Sequence, residues 1–175
     1  LVLQNEISEL PYLVEQAHKR GMVIVLNPAP MNENIERLTL SYIDYFILNE
    51  IEAAQLTGVA YSAEDAAAAD RLIRALGDKF PSAKVVLTLG SAGSVYFDEE
   101  ETIHQGIYPV KAVDTTAAGD TFTGYFLAGI TEGRPVREAL DMAAGLSPST
   151  QVSPERKALF LGISSFAWAS SWSQR

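Results

Sequence analysis

The sequence predicts an α/β domain in which a mostly parallel sheet has helices on both faces. Short apolar runs typical of buried strands alternate with longer segments whose apolar residues recur at helical spacing. The four predicted parallel strands lie at residues 1–4, 22–26, 43–48 and 85–89. Strands that alternate with helices in this way indicate βαβ units, in which successive strands run parallel.

Helices are predicted between these strands from their apolar spacing and their terminal residues. The first helix ends at Gly21, and a second, shorter one ends at Gly58. Ser62 with Asp65 resembles a capping box, which predicts the start of a third helix just after it. The apolar positions of this third helix are Ala69, Leu72, Ile73 and Leu76.

The second half of the chain is predicted to add a hairpin and two more helices. Residues 94–97 and 102–105 flank an acidic turn and predict two antiparallel strands. Helical spacing recurs from Phe122 to Ile130, and Pro135 begins a last helix. The apolar face of that last helix consists of Val136, Ala139, Leu140 and Ala143.

Length, charge and composition exclude several classes of function. A chain of 175 residues suits one domain with a buried core. Its net charge of −9 argues against a nucleic-acid partner, because phosphates are neutralised by Lys and Arg. The absence of cysteine excludes disulfides and thiolate metal sites, which suits a cytoplasmic protein. No signal peptide or membrane span is predicted, so we expect no membrane partner.

Polar residues stand where the predicted parallel strands end. They are Glu6, Asn27, Asn49 with Glu52, and Thr88 to Gly90. Ligands of such sheets bind outside the carboxyl ends of the strands, so the sequence predicts a ligand site at this edge. Purely structural roles stay open for these residues. Glu6 would be a negative charge that is favourable at a helix start, and Asn27 and residues 88–90 would form turns. Asn49 would then be a helix N-cap and Glu52 a solvated glutamate.

Residues 113–124 form a second candidate site. Ala117, Ala118 and Gly119 carry small side chains, so a ligand can approach their backbone N–H groups at the start of a predicted helix. Asp120 follows in the first turn. A carboxylate beside a bound phosphate suggests a base that takes a proton from an attacking hydroxyl. The alternative is a loop whose aspartate caps a packed helix.

Several motifs together resemble the ribokinase (phosphofructokinase-B) family of sugar kinases. Residues 114–122, DTTAAGDTF, resemble the second signature of this family. Residues 49–52, NEIE, resemble its N-x-x-E motif, and residues 88–93, TLGSAG, resemble its nucleotide-phosphate loop. The stretches 26–30, LNPAP, and 4–6, QNE, are similar to the ribokinase members of the family.

The resemblance implies two regions. Residues 1–145 would be the ATP-binding part of a ribokinase-like three-layer sandwich, without its amino-terminal part, its Gly-Gly substrate motif and the lid that covers the sugar. We therefore expect the sequence, which begins with Leu1 inside an apolar run, to be a piece of a longer protein. Residues 146–175 do not match the family, and a change of reading frame or a partner-binding tail would each explain them.

For the second candidate site, the resemblance implies the chemistry of phosphoryl transfer. Asp120 would be the general base and would contact the sugar hydroxyl that it deprotonates. The amides of Ala117, Ala118 and Gly119 would form an anion hole for the charge that develops during transfer.

The resemblance also implies the ligands of the remaining residues. Glu52 would order the water shell of Mg²⁺, and Glu6 would accept hydrogen bonds from ribose hydroxyls. Asp114 and Thr116 would belong to a potassium site. The nucleotide would contact Asn49, Glu52, Thr88, Gly90, Ser91 and Gly93.

The implied activity is ATP-dependent phosphorylation of D-ribose to D-ribose 5-phosphate, with Mg²⁺ and K⁺. Other kinases of the family stay open as alternatives, namely a fructokinase, a 2-keto-3-deoxygluconate kinase or an adenosine kinase. A non-catalytic nucleotide-binding fragment is also open, and we expect little turnover from this chain in isolation. The full-length protein is expected to form a homodimer. A dinucleotide-dependent oxidoreductase is not supported, because no G-x-G-x-x-G follows a predicted strand.

Overall fold

The computed structural model describes residues 1–5, 7–65, 67–108 and 118–146, with only the backbone of residue 146. The chain divides into two compact units, Leu1–Gly106 and Ile107–Arg175. The predicted tail from residue 147 onward lies outside the described residues, so the predicted boundary at residue 145 stays a prediction.

The first unit is built on one six-stranded sheet. Its strands are β1 (Val2–Leu3), β2 (Val25–Leu26), β3 (Tyr45–Asn49), β4 (Lys84–Thr88), β5 (Ser94–Phe97) and β6 (Thr102–Gln105). They lie in the order of the chain, and β1 to β4 are parallel to one another. β5 and β6 pair antiparallel, at the residues that the sequence predicts for the hairpin. The predicted mostly parallel sheet is confirmed.

Four α-helices belong to the described part of this unit. They are α1 (Leu10–Lys19), α2 (Glu33–Glu36), α3 (Glu50–Thr57) and α4 (Ala68–Lys79). Short 3₁₀ turns at Leu40–Tyr42 and Gly90–Ala92 complete the elements. α3 ends where Gly58 takes a left-handed φ of 75°, as the sequence predicts, because glycine adopts this conformation without steric penalty.

The core of this unit lies between the sheet and helices α1, α3 and α4. Alternate strand residues such as Phe46, Leu48 and Leu87 share one apolar cluster with residues of these helices such as Val14 and Leu72. The intervening strand residues, which point to the opposite face, are buried as well: Tyr45, Ile47, Val86 and Tyr96. Strands that are covered on both faces show this pattern.

The predicted start of α4 is wrong. The helix begins at Ala68, and its N-cap position makes no side-chain capping bond. The Ser62 hydroxyl instead accepts a hydrogen bond from the Glu64 amide, and the Asp65 carboxylate accepts one from the Ala67 amide. Both side chains therefore stabilise turns in front of the helix, where the same residue types are equally favourable.

The described residues of the second unit form two packed helices, α5 (Ala118–Thr131) and α6 (Val136–Leu146). Phe122 and Phe126 of α5 are buried, as predicted. A Cβ atom at Gly129 would lie 2.8 Å from Cβ of Ala139, so glycine allows the two helices to approach closely. The predicted α6 positions Ala139, Leu140 and Ala143 are buried, whereas Val136 is partly exposed.

Candidate functional site

Asn49 and Glu52 form a reciprocal capping box at the start of α3. The Asn49 Oδ1 accepts hydrogen bonds from the amides of Ile51 and Glu52, both at 2.9 Å. In return, the Asn49 amide donates to the Glu52 Oε2 at 3.0 Å. Because these bonds use Oδ1 and Oε2, Asn49 can offer a ligand its Nδ2 donors, and Glu52 can offer Oε1.

The Glu52 side chain is buried, with 9% of the residue exposed, so it is not a solvated glutamate. Burial raises the pKa of its carboxyl group, and the hydrogen bond from the Asn49 backbone partly opposes this rise. The nearby Glu50 carboxylate raises the pKa further. Glu52 forms no ion pair within the described part of the chain. A buried carboxylate without a paired cation gains from a bound metal ion or its waters. This environment fits the predicted magnesium role of Glu52.

The loop after β4 is a tight turn closed by its own backbone. The Leu89 amide donates to the Gly93 carbonyl at 2.8 Å, and the Ala92 amide donates to the Leu89 carbonyl at 3.0 Å. Gly90 has a φ of 55°, and a Cβ atom there would meet open space. The backbone at Gly90 is therefore accessible to a ligand such as a phosphate group. Ser91 lies in the same turn and is exposed.

Gly93 has a structural reason to be glycine. Its φ is 92°, and a Cβ atom would lie 2.1 Å from the carbonyl oxygen of Gln105 on β6. No side chain fits this approach of the loop to the hairpin. The glycine at this position thus follows from packing, independently of any nucleotide contact.

A row of four polar residues crosses one face of the sheet at this edge. Asn49 is in register with Thr88, Thr88 with Ser94, and Ser94 with Gln105. Their alternation places them on the face opposite Leu87, which belongs to the core under the helices. We call Asn49, Thr88, Ser94 and Gln105 the polar row. It joins two predicted site residues to two that sequence reasoning missed.

Two hydrogen bonds join the loops that follow β1 and β2. The Asn5 amide donates to the Ala29 carbonyl at 3.2 Å, and the Asn5 Nδ2 donates to the Pro30 carbonyl at 2.6 Å. Asn27 is buried, and its Oδ1 accepts a hydrogen bond from the Ala29 amide at 3.1 Å, which is turn chemistry. Glu6, the predicted ribose ligand, lies outside the described residues.

Asp120 lies in the first turn of α5, as predicted, and is exposed. Gly119 is exposed beside it, and a Cβ atom there would have no neighbour within 4 Å. The amides of Ala118 and Gly119 lie in a first helical turn, where N–H groups lack intrahelical acceptors. Ala117, Asp114 and Thr116 lie outside the described residues, so the complete anion hole and the potassium site stay predictions.

The first unit therefore brings together Asn49, Glu52, Thr88 and Gly90 at the carboxyl ends of β3 and β4. Asp120 and Gly119 belong to the second unit. Among the described residues, no group of three or more His, Cys, Asp or Glu side chains is placed to hold a metal ion. Within the same part of the chain, no helix has the length and apolar character needed to cross a membrane.

Comparison with known proteins identifies the family of this chain. The model of the pfkB family of carbohydrate kinases matches residues 11–149. The chain belongs to this family. The match includes Asn49, Glu52, Thr88, Gly90 and Asp120, whereas Glu6 lies before its first residue.

Relatives within the family include a ribokinase and a deoxyribokinase. The chain is 37% identical to the ribokinase of Schizosaccharomyces pombe over 86% of its own length and 48% of that protein. It is 29% identical to the deoxyribokinase of Salmonella typhi over 82% of its length and 46% of that protein. The chain thus spans about half the length of these curated relatives.

Among solved structures, the chain is similar to Arabidopsis thaliana ribokinase complexed with ribose and ATP. The TM-score is 0.72 at 29% identity, and the match covers 93% of this chain and 55% of that one. The predicted ribokinase-like α/β fold is therefore confirmed.

Proposed function

We propose that this chain supplies the nucleotide-binding part of a kinase that transfers phosphate from ATP to D-ribose, yielding D-ribose 5-phosphate. The observation that carries the proposal is the capping box of Asn49 and Glu52 in register with Thr88. The two relatives named ribokinase support ribose as the acceptor, and the plant enzyme complexed with ATP supports the donor.

In this proposal the first unit holds the phosphates of ATP. The Nδ2 of Asn49 and the hydroxyl of Thr88 donate hydrogen bonds to phosphate oxygens, and the open backbone at Gly90 approaches them. Ser91 and Gly93 complete the loop around the nucleotide. Hydrogen bonds from neutral donors to an ionised phosphate are stronger than those between neutral groups.

The buried carboxylate of Glu52 is the proposed holder of magnesium, through water. Mg²⁺ usually keeps several waters and binds through one or two carboxylates together with substrate phosphates. Bound to ATP, it would neutralise phosphate charge. Glu52 orders that water shell from its Oε1, while Oε2 stays in the α3 cap.

Asp120 is the proposed general base. It accepts the proton of the sugar's primary hydroxyl, whose oxygen then attacks the γ-phosphorus in line with the leaving ADP. The amides of Ala117, Ala118 and Gly119 stabilise the charge on the transferring group. The exposed position of Asp120 in the first turn of α5 leaves its carboxylate accessible to a substrate.

The proposal further assigns the ribose hydroxyls to Glu6 and an activating potassium ion to Asp114 and Thr116. These roles rest on the family resemblance of residues 4–6 and 114–122. The complete protein is proposed to act as a homodimer in the cytoplasm.

Two other functions have specific support. The deoxyribokinase relative favours deoxyribose as a competing acceptor within the same reaction. The span of this chain, about half the length of its relatives, favours nucleotide binding without turnover for the chain in isolation. A panel of ribose, deoxyribose, fructose, 2-keto-3-deoxygluconate and adenosine separates the first case from the main proposal.

The test is ATP-dependent phosphorylation of this panel by the chain and by the complete product of the gene, each with Asp120→Asn. The substitution keeps the side-chain volume and removes the base, so we expect turnover to fall about 10²-fold to 10⁴-fold. Asp70→Asn is the matched control, because Asp70 is exposed at the third position of α4 and Asp120 holds that position in α5. If Asp120→Asn behaves like Asp70→Asn, Asp120 is not the base. Absence of sugar phosphorylation by the complete product would refute the kinase assignment.

A further inference from the structure

Ser94 places a buried hydroxyl in the polar row. The residue is 4% exposed, and its Oγ has no hydrogen-bond partner among the residues that the structure describes. A buried hydroxyl without a partner is unfavourable, because it has lost its hydrogen bonds to water. A conformational change or ligand that gives the Ser94 hydroxyl a hydrogen-bond partner would therefore be stabilising.

The register makes Thr88 the nearer of the two cross-strand neighbours of Ser94. The bond from the Leu89 amide to the Gly93 carbonyl marks a hydrogen-bonded pair beside Thr88 and Ser94. Pairs alternate along an antiparallel ladder, so Thr88 and Ser94 form a non-hydrogen-bonded pair, whose side chains lie closer together.

Gln105, on the other side of Ser94, is the less suitable partner. The bond from the Asp98 amide to the Glu101 carbonyl sets the alternation of this second ladder, which makes Ser94 and Gln105 a hydrogen-bonded pair with wider side-chain separation. The Gln105 Nε2 already donates to the Gly106 carbonyl at 3.2 Å.

We propose that Ser94 is a positioning residue of the nucleotide site, whose hydroxyl donates to the Thr88 Oγ1 when Thr88 donates to a phosphate oxygen. A threonine hydroxyl has one donor and two acceptor lone pairs, so it can make both bonds at once. Hydrogen bonds in such a chain strengthen one another. The inference rests on the proposed function, because it requires a phosphate at Thr88.

The test is a double-mutant cycle on the binding of ATP with Mg²⁺, measured by titration calorimetry with Ser94→Ala, Thr88→Val and the double variant. We expect Ser94→Ala to weaken binding about fivefold, which corresponds to one ordinary hydrogen bond. Thr88→Val should weaken it more. The double variant should bind within about twofold of Thr88→Val, because Ser94 acts only through Thr88. Inorganic tripolyphosphate should show the same order, since the proposed contact is to phosphate.

Thermal unfolding separates this role from a structural one. Removal of a buried hydroxyl without a partner should leave the melting temperature unchanged or raise it, so Ser94→Ala should bind worse without being less stable. Tyr96→Phe is the control, because Tyr96 lies two residues along the same strand and its hydroxyl donates to the Asp98 Oδ2 at 2.5 Å. It should lose stability and keep its affinity for ATP.

Three results would overturn the inference. Wild-type affinity in Ser94→Ala refutes it and leaves the proposed nucleotide site intact. Effects of Ser94→Ala and Thr88→Val that multiply in the double variant show that Ser94 does not act through Thr88. If the wild-type chain binds neither ATP nor tripolyphosphate, the proposed nucleotide site fails and the inference fails with it.

Discussion

Replacement of Asn49 by aspartate separates the two roles that the structure allows for this side chain. In the α3 cap, the Asn49 Oδ1 accepts the amides of Ile51 and Glu52, and aspartate keeps this acceptor. Asparagine and aspartate are equally good N-caps, so the free energy of unfolding of Asn49→Asp should stay within about 1 kcal/mol of wild type. Asn49→Ala should lose about 1 kcal/mol, a fall in melting temperature of about 2–4 °C for a chain of this size.

Binding of ATP should respond differently. Asn49→Asp removes the Nδ2 donor, and a hydrogen bond to a charged group contributes about 1.5–3 kcal/mol, so the affinity should fall about 10-fold to 100-fold. Repulsion between the new carboxylate and the phosphates acts in the same direction. The measurements are calorimetric titration with ATP and Mg²⁺, and thermal unfolding of the same samples.

The control is Asn32→Asp. Asn32 caps α2 in the same way, since its side chain accepts a hydrogen bond from the Asn34 amide at 2.9 Å. This change alters the net charge by the same amount at another helix start and should leave ATP binding unchanged. If Asn49→Asp binds ATP with wild-type affinity, Asn49 is a helix cap only, and its assignment as a phosphate ligand is wrong.

Two more substitutions test the carboxylate and the close backbone approach. Glu52→Gln keeps an acceptor for the Asn49 amide and removes the ionisable group. Burial raises the pKa of Glu52 in the folded chain above its value in the unfolded chain. The wild type therefore loses stability as the pH rises from the unfolded pKa to the folded pKa. In thermal unfolding from about pH 4 to 8, the melting temperature of the variant minus that of wild type should rise and then become constant. The variant should also show weaker magnesium-dependent binding of ATP. A difference in melting temperature that does not change with pH would contradict the prediction. Gly93→Ala should cost more than about 2 kcal/mol in chemical denaturation, because its Cβ atom would meet the Gln105 carbonyl. Gly106→Ala, where nothing lies within 4 Å, is the control, and an equal loss there would refute the argument.

The features that the sequence predicts well are those set by local signals. The hairpin of β5 and β6 has its predicted residues because the turn is self-contained: the Asp98 Oδ1 accepts the amides of both Glu100 and Glu101. Likewise, Gly58 ends α3 and Asp120 stands in the first turn of α5, since both are specified by residues within one or two helical turns.

The errors arise where a nonlocal contact or a competing local one replaces the expected bond. The predicted strand 22–26 is reduced to β2, Val25–Leu26, because the Met22 amide bonds back to the Ala17 carbonyl and the Ile24 amide to the Asp44 Oδ2. The wrongly predicted start of α4 has a related cause, since Asp65 pairs with Arg71 at 2.6 Å as well as with the Ala67 amide.

The burial of Glu52 and the alignment of Ser94 with Thr88 could not be read from local patterns. A glutamate in a first helical turn is usually solvated, whereas Glu52 is 9% exposed in the folded chain, and this burial depends on tertiary packing. In the alternating pattern of an isolated hairpin, Ser94 would be expected on the solvent-exposed face. Only the pairing of β4 with β5 places Ser94 opposite Thr88, so the signal is the register between strands.

The two units have separate roles in the proposed reaction. Asn49, Glu52, Thr88 and Ser94 are held by hydrogen bonds and strand pairs within Leu1–Gly106, so their contribution to nucleotide affinity depends on this unit. The proposed base is specified by its position in a helix of the other unit. Substitutions of Asn49, Thr88 and Ser94 should therefore change ATP affinity, whereas Asp120→Asn should change turnover at unchanged affinity. A loss of ATP binding in Asp120→Asn as large as that in Asn49→Asp would contradict this separation and make Asp120 a nucleotide ligand.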